Sequence, residues 1–197
     1  MHQHYVISVV SRDRIGIVAD VSSALAALGG DIADLRQSVL RDYFTMILLA
    51  SFQATVSAEM IQRQTAQASA SDLPPLHVTV IAADAADEGS AVVHRRSSVV
   101  GRPSSAQPNY LLTARGPDRV GFVASVAAFC ARNGLNILDL ATTVADGRYV
   151  MMLLVDVSRC ADLDAVRRQL HEFGQANGLE AVLQHEAIFR ATNEVDQ

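Results

Sequence analysis

The chain has 197 residues, half of them apolar and 19% charged, with a formal net charge of −5. At roughly 100–200 residues per domain this allows one ordinary domain or two small ones, and such a composition excludes a disordered chain. All sixteen basic residues are arginine, which excludes a P-loop lysine, a Schiff-base lysine and a Ser-x-x-Lys nucleophile pair.

The charges sum to −2 over residues 1–82, 0 over 83–109 and −3 over 110–197. No segment carries the basic excess that neutralises phosphates, so direct nucleic-acid binding is not expected. No apolar run approaches the roughly 18 residues of a membrane span, and the start Met1-His2-Gln3-His4-Tyr5 lacks a signal-peptide pattern. Cys130 and Cys160 then read as reduced thiols, and the expected compartment is the cytoplasm.

Taken in order, the signals occur twice. Residues 5–52 align without a gap to residues 110–157, with 16 identities in 48 positions. An internal period of this size means two copies of one domain. The copies are expected at 1–82 and 110–197. The stretch between them, 83–109, is rich in Gly, Ser and Pro, and reads as a linker. Its Arg95 and Arg96 read as a solvated pair.

Each copy opens on a short strand (5–10 and 110–114) followed by a helix. The helical stripe is Val18, Val21, Leu25 and Leu28 in the first copy, and Val123, Val126, Phe129 and Cys130 in the second. Gly29 and Gly134 predict the helix ends, where glycine relieves a left-handed cap. Two strands follow (32–40 with 44–52, and 137–144 with 149–157), turning at Arg41-Asp42 and at Asp146-Gly147, the latter a tight-hairpin signal. A second helix is marked in the second copy by Leu163, Val166, Leu170 and Phe173, with Asp162 as candidate N-cap. Its counterpart over 58–70 has a weaker stripe. Closing strands are expected over 76–81 and 179–189.

The order is βαββαβ, an α+β fold of the ferredoxin-like type in each copy, with an antiparallel sheet carrying its helices on one face. The other face of such a sheet ordinarily meets water and shows polar alternation. Here Tyr149, Met151, Leu153 and Val155 fill one face, and Val150, Met152 and Leu154 fill the other. The second face is therefore expected to pack against another sheet, from the sister domain or from a second chain in a homodimer.

The run strand, Asp-Arg-(Ile/Val)-Gly, helix, Gly-x-(Asp/Asn)-Ile is similar to the ACT domain, a ferredoxin-like module that binds amino acids and regulates metabolic enzymes or transcription. The first copy, through Gly30-Asp31-Ile32-Ala33-Asp34-Leu35, resembles the tandem-ACT glycine cleavage system transcriptional repressors. The second, through Asn136-Ile137-Leu138-Asp139 and Gln184-His185-Glu186, resembles small single-ACT proteins. The resemblance implies an amino-acid-binding regulatory protein whose partner is an enzyme or, indirectly, a transcription factor.

A free amino acid presents a carboxylate and an ammonium. Unpaired N–H groups at the start of each first helix suit the carboxylate. Gly16 and Gly121 either admit a ligand to the backbone or allow close helix packing. Asn136 can accept from an ammonium and donate to a carboxylate at once, whereas its counterpart Asp31 can only accept when ionised. Two unequal sites are expected, the better one using Asn136, although a plain turn role suits Asn136 as well. Asp13 and Asp118 read as helix caps or ligand contacts, Arg14 and Arg119 as carboxylate clamps or surface residues. Asp34 and Asp139 read as ion-pair partners of arginine.

Enzyme motifs are absent. The six histidines show no ligand spacing, and there is no Cys-x-x-Cys, His-x-x-x-His or Gly-x-Ser-x-Gly. Neither metal nor cofactor is expected. Two alternatives stay open: a ligand-free interaction module, and an acylphosphatase-like enzyme using Arg119 with Asn136.

Overall fold

The computed structural model describes residues 2–53, 55–83, 109–145 and 148–187. The linker arginines and the Asp146-Gly147 turn lie outside the described residues.

The first repeat runs β1 (His2–Arg12), α1 (Ile17–Ala27), β2 (Asp31–Leu40), β3 (Tyr43–Gln53), α2 (Ala58–Ala66) and β4 (His77–Ala83). The second runs β5 (Asn109–Gly116), α3 (Phe122–Arg132), β6 (Asn136–Ala145), β7 (Arg148–Asp156), α4 (Leu163–Asn177) and β8 (Glu180–His185). Both are βαββαβ, as expected. Gly29 and Gly134 follow α1 and α3 at φ +72° and +69°, so each helix stops where an L side chain would be strained. Asp162 caps α4, accepting from the backbone N–H groups of Asp164 and Ala165. The closing strand is shorter than predicted: β8 ends at His185, and Glu186 and Ala187 turn into helix.

The eight strands form one sheet in the order β4-β1-β3-β2-β6-β7-β5-β8. The two repeats are thus joined edge to edge, not face to face. At the seam β2 runs antiparallel to β6 over Arg36↔Ala141, Gln37↔Leu140 and Ser38↔Asp139. The expectation that the sister domain covers the second sheet face is corrected here. Each repeat alone would end on an edge strand with unpaired N–H and C=O groups, and joining the edges satisfies both at once. Above the seam α1 packs on α3.

The core lies between the sheet and the helices. On β3 the helix side buries Phe44, Met46, Leu48, Ala50 and Phe52, and on β7 it buries Tyr149, Met151, Leu153 and Val155. Strand alternation then sends Ile47 to the open side at 52% exposure, joined by Ile81 at 61%, Val10 and Val182. Two polar side chains are buried at the seam. Gln37 donates to the carbonyl of Ile137 at 3.3 Å, and Thr142 accepts from the backbone N–H of Leu35 at 2.7 Å.

Packing around Gly30 is tight, since an added Cβ would lie 2.4 Å from the Phe52 ring and 2.9 Å from the Leu25 carbonyl. Neither neighbour can swing aside, because Phe52 is fully buried and Leu25 O is helix backbone. Gly30→Ala is expected to cost about 1–3 kcal/mol, read as a lower denaturant midpoint at unchanged slope.

Candidate functional site

Two clefts flank the seam, related by the same offset of 105 that relates the repeats. Each pairs the loop before a first helix with the start of the sister repeat's second strand.

The first cleft is lined by Arg14, Gly16, Ile17, Phe44, Ala131 and Asn136, among others. Asn136 Nδ2 donates to Asp13 Oδ2 at 2.9 Å, a bond between residues 123 apart in sequence. Asp13 does not cap α1. The N-cap is Gly16, at φ +95° with no side-chain cap bond, and the Asp13 carboxylate is free to reach across the seam. Arg14 is held by Asp20 Oδ2 at 2.7 Å, Ser69 Oγ at 2.9 Å and the carbonyl of Ile15 at 3.2 Å. Two buried atoms here lack partners: Asp13 Oδ1 and Arg14 Nε.

The second cleft is lined by Ser22, Gly30, Asp118, Arg119, Gly121 and Tyr149, among others. Asp118 is no cap either, because α3 starts from Gly121 at φ +84°. Positive φ explains both glycines, and nothing lies within 4 Å of a Cβ built at Gly121. This is a requirement of the turn, and neither ligand approach nor close helix packing is needed to account for it. Arg119 has lost the partner of Arg14, since Ser125 stands where the first repeat has Asp20. Its guanidinium donates to the Asn177 carbonyl at 3.4 Å and is exposed.

Electrostatics differ accordingly. Partial removal from water, and next the Asp31 carboxylate, push the Asp118 carboxyl above its ordinary range. Burial pushes the Tyr149 phenol up; the Thr142 hydroxyl opposes this, and the carboxylates of Asp118, Asp34 and Asp31 add to it. Tyr149 is 1% exposed. The Thr142 hydroxyl points to Asp34 Oδ1 at 3.2 Å and also lies beside the Tyr149 phenol. Asp34 therefore takes Thr142 and its neighbour's N–H, that of Leu35 at 2.8 Å, in the place where an arginine was expected.

Each cleft encloses about 10 Å³, close to the space of one water molecule. The seam places Asn136 and Arg119 in different clefts, which removes the geometric basis of an acylphosphatase reading. Among the described residues no group of three or more His, Cys, Asp or Glu is arranged to hold a metal ion, and no helix is long and apolar enough to cross a membrane. Cys130 is buried, which pushes its thiol up to about 12; it is an inert core residue. Sequence reasoning missed Tyr149 as a site residue, although its alignment with Phe44 already showed an added hydroxyl.

Comparisons with known proteins agree with the repeat. The family model described as ACT domain matches residues 3–73 and 109–184. A UPF0237 protein of Methanocaldococcus jannaschii is 37% identical over 76 residues, covering 38% of this chain and 84% of that protein. A solved ACT domain protein from Streptococcus pneumoniae is 34% identical, covers 42% of this chain and 94% of its own, and superposes with a TM-score of 0.39. A solved structure described as a candidate glycine cleavage system transcriptional repressor covers 94% of this chain and 98% of its own, at 16% identity and a TM-score of 0.38.

The raised Asp118 carboxyl sets a sign for stability. The folded protein holds this proton more tightly than the unfolded chain, so the contribution is present below the ordinary carboxylate range and lost as pH rises through the raised value. Asp118→Asn is expected to melt above the wild type at pH 7, with the gap closing as pH falls below about 4, measured by thermal melts across pH.

Proposed function

Because the chain belongs to the ACT domain family, we propose that it is a regulatory protein that binds a small amino acid in the first cleft. Occupancy there would pass to a partner, either a metabolic enzyme or, indirectly, a transcription factor. One observation carries this reading: Arg14, which lines the first cleft, and Asp13, bonded to its lining residue Asn136, bring a buried guanidinium N–H and a buried carboxylate oxygen that no protein group satisfies. Unmet buried polar groups cost stability, about 1–3 kcal/mol each and more when charged, so a pair of opposite sign calls for a ligand with both signs. An amino acid has them. Its ammonium suits Asp13 Oδ1 and the Asn136 carbonyl oxygen, and its carboxylate suits Arg14 Nε and the first N–H groups of α1.

At about 10 Å³ the cleft is closed to an amino acid. Entry requires the Asn136–Asp13 bond across the seam to open. The ligand thereby has different affinities for two arrangements of the repeats, which is the physical requirement for allosteric output. A panel of the twenty amino acids in a thermal-shift assay tests this. A binder at 100 times its dissociation constant stabilises by about 2.7 kcal/mol, a rise of several degrees. In calorimetry Asn136→Ala is expected to weaken binding by about tenfold or more, and Asp31→Ala by much less. Silence from the whole panel would favour the interaction module without a ligand.

We also propose a homodimer through the open sheet face. Eight strands spaced about 4.8 Å apart and of 6 to 11 residues each, on average roughly 30 Å long, present on the order of 1,100 Å², above the roughly 800 Å² per partner of an ordinary stable interface. Exposed Ile47, Ile81 and Val10 lie on this face. A dimer is expected in sedimentation velocity, and Ile47→Glu should shift it to monomer without lowering the melting point by more than a degree or two, since the side chain is exposed.

A further inference from the structure

Arg14 and Arg119 occupy matched positions, yet the chain holds them differently. The Arg14 guanidinium is gripped at both ends of its fork. Nη2 donates to Asp20 Oδ2 at 2.7 Å and to Ser69 Oγ at 2.9 Å, and Nη1 donates to the Ile15 carbonyl at 3.2 Å. The side chain is 14% exposed, and its Nε–H is buried with no protein partner. Asp20 stands in the first turn of α1, and Ser69 lies just past the end of α2. A serine hydroxyl has one proton, which here goes to the Pro74 carbonyl at 3.1 Å, so a lone pair is left to face Arg14. The connection that carries Ser69 is itself tied to β1, since Ser11 Oγ donates to the Pro75 carbonyl at 3.0 Å.

At Arg119 the surroundings change. Ser125 stands at the Asp20 position and donates to the Phe122 carbonyl of its own helix at 2.8 Å. α4 has 15 residues against 9 in α2, so helix runs on where the first repeat turns into the loop bearing Ser69. Arg119 meets the Asn177 carbonyl at 3.4 Å and is exposed. A long side chain loses rotamer freedom when it engages a ligand, and one that is already pinned has lost it beforehand. We propose that Asp20 and Ser69 are positioning residues for the first cleft, holding the Arg14 guanidinium so that its Nε–H is ready for a carboxylate. The ligand in this proposal rests on the amino-acid reading of that cleft, whereas the pinning of Arg14 is measurable without any ligand.

The test follows the Arg14 Nε–H signal in heteronuclear NMR of the full chain, identified by its absence in Arg14→Lys. Its exchange with water is expected to be slow in the wild type and about fivefold faster or more in Ser69→Ala and in Asp20→Ser, which copies the second repeat. Ser69→Thr keeps a hydroxyl and should keep the slow rate, and Arg119 supplies the rate of an exposed arginine. Calorimetry then uses the amino acid that gives the largest rise in the thermal-shift panel. Ser69→Ala and Asp20→Ser should weaken its binding about three- to tenfold, with Ser69→Thr near the wild type. Unchanged exchange in both variants would overturn the proposal, as would unchanged affinity in both where the wild type binds. So would fast exchange in Ser69→Thr, which would make the loop and not the hydroxyl responsible. Slow exchange in the wild type and fast exchange in the variants, in a protein that no amino acid stabilises, would uphold the pinning of Arg14 and sink the amino-acid reading alone.

Discussion

The constraint from which the rest follows is the unpaired edge of each repeat. A four-stranded βαββαβ sheet leaves the outer side of its second strand open, with backbone donors and acceptors facing outward. Here β2 and β6 meet along three residue pairs and close both edges together. That single junction makes one sheet of eight strands, brings α1 onto α3, and buries Gln37 and Thr142 as polar fasteners between the halves. It also creates the two clefts, since each needs a loop from one repeat and a strand start from the other.

A ladder of three pairs is short for a seam of this importance. Helix packing and a few cross-seam hydrogen bonds supply what the ladder does not, among them Asn136 to Asp13 and Thr142 to Asp34. The first of these bonds lies at the first cleft, which Asn136 lines. Anything that entered that cleft would meet groups that also hold the halves together. Regulation by a small molecule needs this sharing, because a ligand shifts an arrangement only through contacts that differ between arrangements.

Duplication of the repeat left a pseudo-symmetric frame whose two sites have diverged. The first cleft kept an arginine anchored by Asp20 and acquired a neutral amide bridging the seam. The second has Asp31 in place of the amide, Ser125 in place of the anchor and Tyr149 in place of Phe44. Each cleft is lined by an arginine, but only Arg14 is anchored by a carboxylate. Backbone geometry is nearly the same at both, with a left-handed glycine opening each helix, so the difference in chemistry lives wholly in side chains.

Element order, the repeat and most helix ends were legible in the sequence, because they rest on local signals: apolar periodicity at Val18, Val21 and Leu25, glycine at 29 and 134, and Asp162 ahead of an amphipathic run. The double-sided hydrophobicity of β7 was legible too, and so was the inequality of Asn136 and Asp31. The sequence did not show how the halves join. Apolar strand faces suggested stacking, yet backbone hydrogen bonding at the edges governs the junction, and every strand carries the same backbone whatever its side chains. The cap role assigned to Asp13 and Asp118 failed for a related reason. A glycine at positive φ already starts each helix, and only the seam shows where the released carboxylates go. Tertiary structure alone decided that Asn136 faces Asp13 and that Tyr149 meets Gly30 and Ile32 at the second cleft. Those facts depend on residues more than 100 positions apart arriving at one place, and no local pattern encodes that meeting.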